Sequence, residues 1–252
     1  GENILDTWTV EYNLGYSKSS EKEPNRIDVS FAGEDIDMGY SSPGPVPQLS
    51  FSANAQELSN FEMDDIEFTN NNSEDEEVSF RIDLSKEFVW NNNNGEFKFG
   101  GKYRSREKFN DANLIVYDGG FNDATAAQFA ASSPDYSLGS FGPGISRSAI
   151  RSWFFQGQNS FDINQIDTDI ESQGGTYRSE EDILALYAMV TLDIDNWHIV
   201  TGVRFEDSQY STRGNRVEYF ANDVLDQEEV LVSPWVVDKD YDYLLPSLNI
   251  RY

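Results

Sequence analysis

Five cations, Lys98, Lys102, Arg104, Arg106 and Lys108, share one phase of a period-two segment in a chain with 18 Lys+Arg against 45 Asp+Glu. Such a row suits two tasks: meeting an anionic ligand or protein surface along a path, or bracing a wall by pairing with acids such as Asp83 and Glu87. Arg204 holds the equivalent polar phase of a later segment. A second constellation, Ser152-Trp153-Phe154-Phe155-Gln156-Gly157-Gln158-Asn159, sets aromatic rings beside amides. Rings stack on sugar faces and amides hydrogen-bond hydroxyls; the same residues also suit an apolar cluster that fastens a long loop. Trp235 and Tyr241 carry the same two readings.

Other chemistries find less support. Acidic stretches at Glu62, Asp64, Asp65 and Glu67, at Glu74 to Glu77, at Asp167, Asp169 and Glu171, and at Asp238, Asp240 and Asp242 offer hard oxygen ligands. None has the central glycine and terminal glutamate of an EF-hand in register, so no metal site is assigned and solvated loops are the simpler reading. Cysteine is absent, which removes thiolate catalysis and cysteine-ligated metal. His198, the only histidine, has no nucleophile motif to serve. No catalytic residue and no cofactor are expected, and a net charge of -27 excludes a nucleic-acid partner held by phosphate neutralisation.

The elements that position these residues are strands. Six segments, near 6–18, 78–90, 96–109, 179–194, 197–211 and 241–252, alternate apolar and polar residues for about ten residues or more, the length a tilted strand needs to cross a bilayer. Trp8, Val10, Tyr12, Leu14 and Tyr16 share one face of the first; Val78, Phe80, Ile82, Leu84, Phe88 and Trp90 share one face of the second. Short connections at Asn91 to Gly95 and at Asp195-Asn196 alternate with long ones at 19–77, 110–178 and 212–240. That rhythm is expected of an outer-membrane barrel, with short periplasmic turns and long outer loops. The fold class is all-β, an antiparallel meander of about six long strands from a transmembrane β-barrel, with a short loop helix over Asp123 to Ala131. The rival architecture is a soluble β-sandwich binding carbohydrate or calcium through its acidic loops.

The wording of several strands resembles the central barrel of TonB-dependent outer-membrane receptors. The pieces are Phe97-Lys98-Phe99-Gly100-Gly101-Lys102-Tyr103-Arg104-Ser105-Arg106-Glu107, Leu186-Tyr187-Ala188-Met189-Val190-Thr191-Leu192-Asp193, Val200-Thr201-Gly202-Val203-Arg204-Phe205-Glu206, and Tyr243-Leu244-Leu245-Pro246-Ser247-Leu248-Asn249-Ile250-Arg251-Tyr252. The resemblance implies a receptor in the outer membrane of a Gram-negative bacterium that binds a nutrient and is energised by the TonB complex through a plug domain. Receptors of this kind close about 22 strands, so six strands and no visible plug imply an internal slice. The wording is similar to a subgroup that takes up oligosaccharides, which makes an oligosaccharide, or another nutrient, the implied ligand.

Overall fold

The alternating segments become strands of one antiparallel sheet, and the strands run well past the points where alternation stops. The computed structural model describes residues 1–46, 48–133, 143–222 and 227–252. Its strands are β1 (Glu2–Leu5), β2 (Trp8–Ala32), β3 (Met38–Ser41), β4 (Gln48–Phe51), β5 (Glu62–Trp90), β6 (Asn93–Gly119), β7 (Ala130–Ala131), β8 (Gly144–Ile145), β9 (Asp162–Asn164), β10 (Tyr177–Ile194), β11 (Trp197–Asn222) and β12 (Gln227–Arg251). Helices α1 (Arg147–Gly157) and α2 (Gln165–Gly175) lie between β8 and β10. The main sheet has the order β1-β2-β5-β6-β10-β11-β12, with β9 added to the far end of β6; β3 with β4 and β7 with β8 form separate hairpins.

Three two-residue turns of the main sheet, after β1, β5 and β10, lie at one end. Asn91 and Asn92 have φ of 48° and 63°, as a type I′ turn requires of both central residues, so two residues suffice where the pattern had allotted five. Asp195 and Asp6, with φ of 52° and 60°, open the other two turns.

On one face, residues in register form apolar rows across the sheet. Tyr12, Ile82, Gly101, Leu186, Phe205 and Leu244 make one such row. Among the described residues no second sheet covers this face: Leu14 is 76% exposed and Leu244 68%. Towards the long loops the band ends at a wholly polar row, Lys18, Glu76, Glu107, Glu180, Ser211 and Asp238. Towards the turns it ends at Trp8, Trp90, Trp197 and Tyr252, the last two with ring centroids 4.8 Å apart. From Val78 to Trp90 the strand runs about 40 Å at ~3.3 Å per residue, or roughly 30 Å of height at the usual tilt, which matches a bilayer's hydrocarbon core. Among the described residues no helix is long and apolar enough to cross a membrane.

Above the band the expected boundaries shift. β2 continues to Ala32 and β5 begins at Glu62, so the connection read as 19–77 shrinks to 33–61. The one read as 110–178 shrinks to 120–176, and most of 212–240 is strand in β11 and β12. Beyond the bilayer both faces meet water or protein, so the hydrophobic period disappears while backbone pairing, indifferent to side-chain polarity, continues. The helix expected at Asp123 to Ala131 is a single 3-10 turn at Ala126–Phe129, whose alanine and phenylalanine are buried. Ala124 and Ala126 reflect tight packing rather than α-helix, and Ala127 and Ala130 are exposed.

That packing belongs to a lobe on the same face as the apolar band. Ile66 and Phe68 on β5, with Ile115 and Tyr117 on β6, keep the phase of Val78 and Phe80 through an unbroken register. Phe121, Phe129, Ile150, Phe154 and Phe161 from the long connection cover them. Ser146 caps α1 by accepting from the Ala149 N–H at 3.3 Å. Arg151 ties the helix down by donating to the Asn25 carbonyl at 2.8 Å, beside a bulge in β2. α2 then follows the edge of β6 vacated by the shorter β10: Thr168, Ser172 and Thr176 accept from the backbone N–H groups of Val116, Leu114 and Ala112 at 3.0, 2.9 and 3.1 Å.

Candidate ligand-conducting wall

The opposite face of the sheet is polar, and the structure brings all six basic residues singled out in the sequence onto it. Four are neutralised. Lys98 meets Glu11 at 2.6 Å, reaching across β5, and Arg104 donates to Glu181 at 2.8 Å. The Arg106 Nε donates to Asp75 at 2.9 Å, and Arg204 bonds Glu206. Among the described residues, Lys102 and Lys108 have no carboxylate within ion-pair distance.

The centre of this face is organised by a glycine. Asp83, Gly100 and Tyr187 lie in one cross-strand row. The Tyr187 hydroxyl reaches over Gly100 to donate to Asp83 at 2.5 Å, and the Arg81 Nε meets the other oxygen at 2.5 Å. A Cβ at Gly100 would overlap the Asp83 carboxylate and the Ile82 carbonyl, so the tyrosine can lie across β6 only because the side chain beneath it is missing. Asp83 is consequently 3% exposed on the open face of a single sheet.

The aromatic candidates separate. Phe154 is 0% exposed at the heart of the lobe, so it packs the loop and presents nothing to a ligand. Trp153 is half-buried and stacks on Phe161 with centroids 4.8 Å apart. Phe155 stays 40% exposed, with the Arg151 guanidinium 4.9 Å from its ring, and Gln156 is exposed beside it. These two lie on the lobe, on the lipid-band side of the wall. Trp235 and Tyr241, expected at a loop and a strand start, are both within β12 and in its polar-face phase, with Tyr243 and Leu245 continuing the row towards the turns. The rings of Tyr241 and Tyr243 are 5.6 Å apart, and the Arg216 guanidinium lies 5.4 Å from Trp235. The sequence signal for this ladder is apolar and aromatic residues in both phases of one strand, Tyr243 and Leu245 against Leu244 and Leu248.

Beside the ladder, Ser179, Thr212 and Tyr210 share hydroxyl contacts, 2.8 Å from Ser179 to Thr212 and 3.4 Å from Ser179 to Tyr210. His198 bonds Asp193 at 2.6 Å at the turn end, away from these groups. Among the described residues the acidic stretches form no cluster of three or more metal-capable side chains.

Above the band the polar face holds charges that tune one another. Hydrogen bonding from Arg106 holds the Asp75 carboxyl below the usual carboxylate range. Glu67 moves the other way, pushed up by burial and then by the nearby Asp65, Glu171 and Asp28 carboxylates. A carboxyl whose pKa is raised on folding costs stability once pH exceeds its folded value and costs none below its unfolded value, ~4.3. Glu67→Gln should therefore raise the unfolding temperature of the lobe slightly at pH 7, and the gain should vanish as pH falls towards 4. A gain that is the same at both pH values would mean the carboxylate is not the source.

A comparison with models of protein families matches residues 7–252 to the family described as TonB dependent receptor-like, beta-barrel. A comparison with curated proteins finds no match. The apolar band bounded by aromatic residues, the polar opposite face, the short turns at one end and this match over almost the whole sequence agree: the chain belongs to the TonB-dependent receptor-like β-barrel family, outer-membrane proteins of Gram-negative bacteria that take up nutrients with energy delivered through TonB.

Proposed function

We propose that this wall belongs to a receptor that imports an oligosaccharide, captured at the outer loops and passed along the lumen face of β12. Family members transport their ligands rather than transform them, and the apolar band supports reading that face as the one that meets lipid and the polar face as the lumen wall. The observation that carries the reading is the ladder of Trp235, Tyr241 and Tyr243, three exposed rings on one lumen-facing strand. Flat apolar rings beside hydroxyl groups suit sugars, whose faces are apolar and whose edges need hydrogen-bond partners. The Ser179, Thr212 and Tyr210 hydroxyls provide the second requirement two strands away at most. Phe155 and Gln156 on the lobe are proposed as outer contacts of the same ligand.

Aromatic anchors commonly dominate binding energy. Trp235→Ala and Tyr241→Ala should each weaken oligosaccharide binding to the receptor about tenfold, ~1.4 kcal/mol, with Phe155→Ala weaker in effect. Calorimetry with a panel of neutral and acidic oligosaccharides, and with a ferric siderophore as a control ligand, checks this. Tight siderophore binding with no saccharide bound would refute the proposal.

A further inference from the structure

In a chain with 45 acids and 18 Lys+Arg, a cation without an acid needs a reason. Three lysines of the lumen face, Lys102, Lys108 and Lys239, have no carboxylate within 4.0 Å among the described residues. Lys108 and Lys239 flank the Ser179, Thr212 and Tyr210 hydroxyls at the loop end of the lipid band. Asp75, directly opposite Lys108 in register, gives both its oxygens to Arg106 instead. The acids of that groove, Glu180 and Glu181, are engaged by Arg178 and Arg104. What remains is a groove of about 520 Å³ with hydroxyl donors, two tyrosines and a free ammonium group.

Lys102 makes the case at mid-wall. Its register neighbours are Arg81 on β5 and Ala185 on β10. Like charges directly opposite across a strand pair are destabilising, and the one carboxylate beside Arg81, Asp83, is already shared between Arg81 and Tyr187. Lys98 and Arg204 line the same groove, about 720 Å³, each already paired with its own glutamate, and Glu96 lines it towards the turns, on the far side of Lys98 from Lys102 along β6. Lys102 therefore keeps a local positive charge beside Arg81 that an incoming anion would relieve. Lys102 and Lys108 sit on one strand in one phase, six residues and roughly 20 Å apart at ~3.3 Å per residue.

We propose that Lys108, at the mouth, and Lys102, at mid-wall, are successive stations for an acidic group on the imported saccharide, so that the receptor prefers a uronate-bearing glycan to its neutral counterpart. This rests on the saccharide reading above and adds to it the charge of the ligand. The hydroxyls and rings hold the sugar; the lysines select the carboxylate. Selection at the mouth acts on binding, and the mid-wall station acts on passage.

The test uses the receptor carrying this chain, in outer-membrane vesicles, with a hexuronic acid oligomer and a neutral hexose oligomer of equal length. The acidic oligomer should bind about tenfold more tightly than the neutral one. Lys108→Gln should remove that preference while leaving neutral binding unchanged, and Lys108→Arg should restore it. Lys102→Gln should slow uptake of the acidic oligomer about tenfold with neutral uptake unchanged. Equal binding of the two oligomers overturns the stations and leaves the saccharide reading standing. A Lys→Gln change that harms both oligomers alike overturns them also, since it reveals a packing role. Binding of neither oligomer overturns the saccharide reading and the stations with it.

Discussion

Phe154→Ala is expected to loosen the extracellular lobe by about 3–5 kcal/mol while the membrane band stays folded. The Phe154 ring has no exposed surface and lies 5.2 Å from Phe68 on β5, 5.7 Å from Tyr117 on β6 and 6.0 Å from Phe161 in the loop. It thus joins three separate parts of the chain, and truncation leaves a cavity none of them can fill. Ile150, one turn earlier on α1 and also buried, cannot compensate because it already packs the same core. The damage stays local because β5 and β6 remain paired from Ile66 to Trp90 whatever the lobe does. Phe155→Ala should cost much less, since that ring is 40% exposed, and Phe154→Leu should cost under ~1.5 kcal/mol. Limited proteolysis within 120–161 and amide exchange of α1 report the difference; a Phe154→Ala lobe as protected as the native one would refute the packing assignment.

The same residue shows how far the sequence could be read. In the membrane band one face meets lipid, so a strict period of two is imposed and the six long strands stand out. Above the band that constraint ends. Ile66 and Phe68 are apolar for a different reason, contact with the lobe, and they are flanked by Asp64, Asp65 and Glu67, so the segment reads as an acidic loop. Composition likewise identified Trp153 to Gln156 as a special segment but could not separate a ring facing outward from one facing inward. Only the turn at the end of α1 puts Phe154 in the core and Phe155 at the surface.

On the wall, residue type and phase placed the cations on one face, yet their pairing depends on diagonal contacts that phase does not determine. Lys98 reaches Glu11 two strands away, and Arg106 takes Asp75 from Lys108, its direct neighbour. The Asp83 and Tyr187 contact needs Gly100 between them, and a glycine in a strand reads from sequence as a weak point rather than a bridge. Trp235 was visible as an aromatic residue; its place on the polar face of the sheet became visible only when most of the connection at 212–240 proved to be strand in β11 and β12.

Replacing the hydroxyls of α2 should expose the edge of β6 more severely than any single change on the wall. Thr168, Ser172 and Thr176 are spaced by four residues, about 6 Å along a helix, while Ala112, Leu114 and Val116 repeat every two residues, about 6.7 Å along a strand. The two repeats stay matched over two steps, the last ending at the Thr176 C-cap of α2, so a helix face and its cap can stand in for the missing strand. Ser172 completes the imitation by donating to the Leu114 carbonyl at 2.7 Å as well as accepting from its N–H. Thr168→Val, Ser172→Ala and Thr176→Val together retain most of the shape and orphan three partly buried N–H groups, each worth about 1–3 kcal/mol. The expected result is release of α2, faster amide exchange at Ala112, Leu114 and Val116, and association through the bared edge. Asp169→Asn and Glu171→Gln on the same helix should change exchange at these amides little. If the triple variant leaves the three amides protected, water or a neighbouring strand satisfies them and the helix is not their partner.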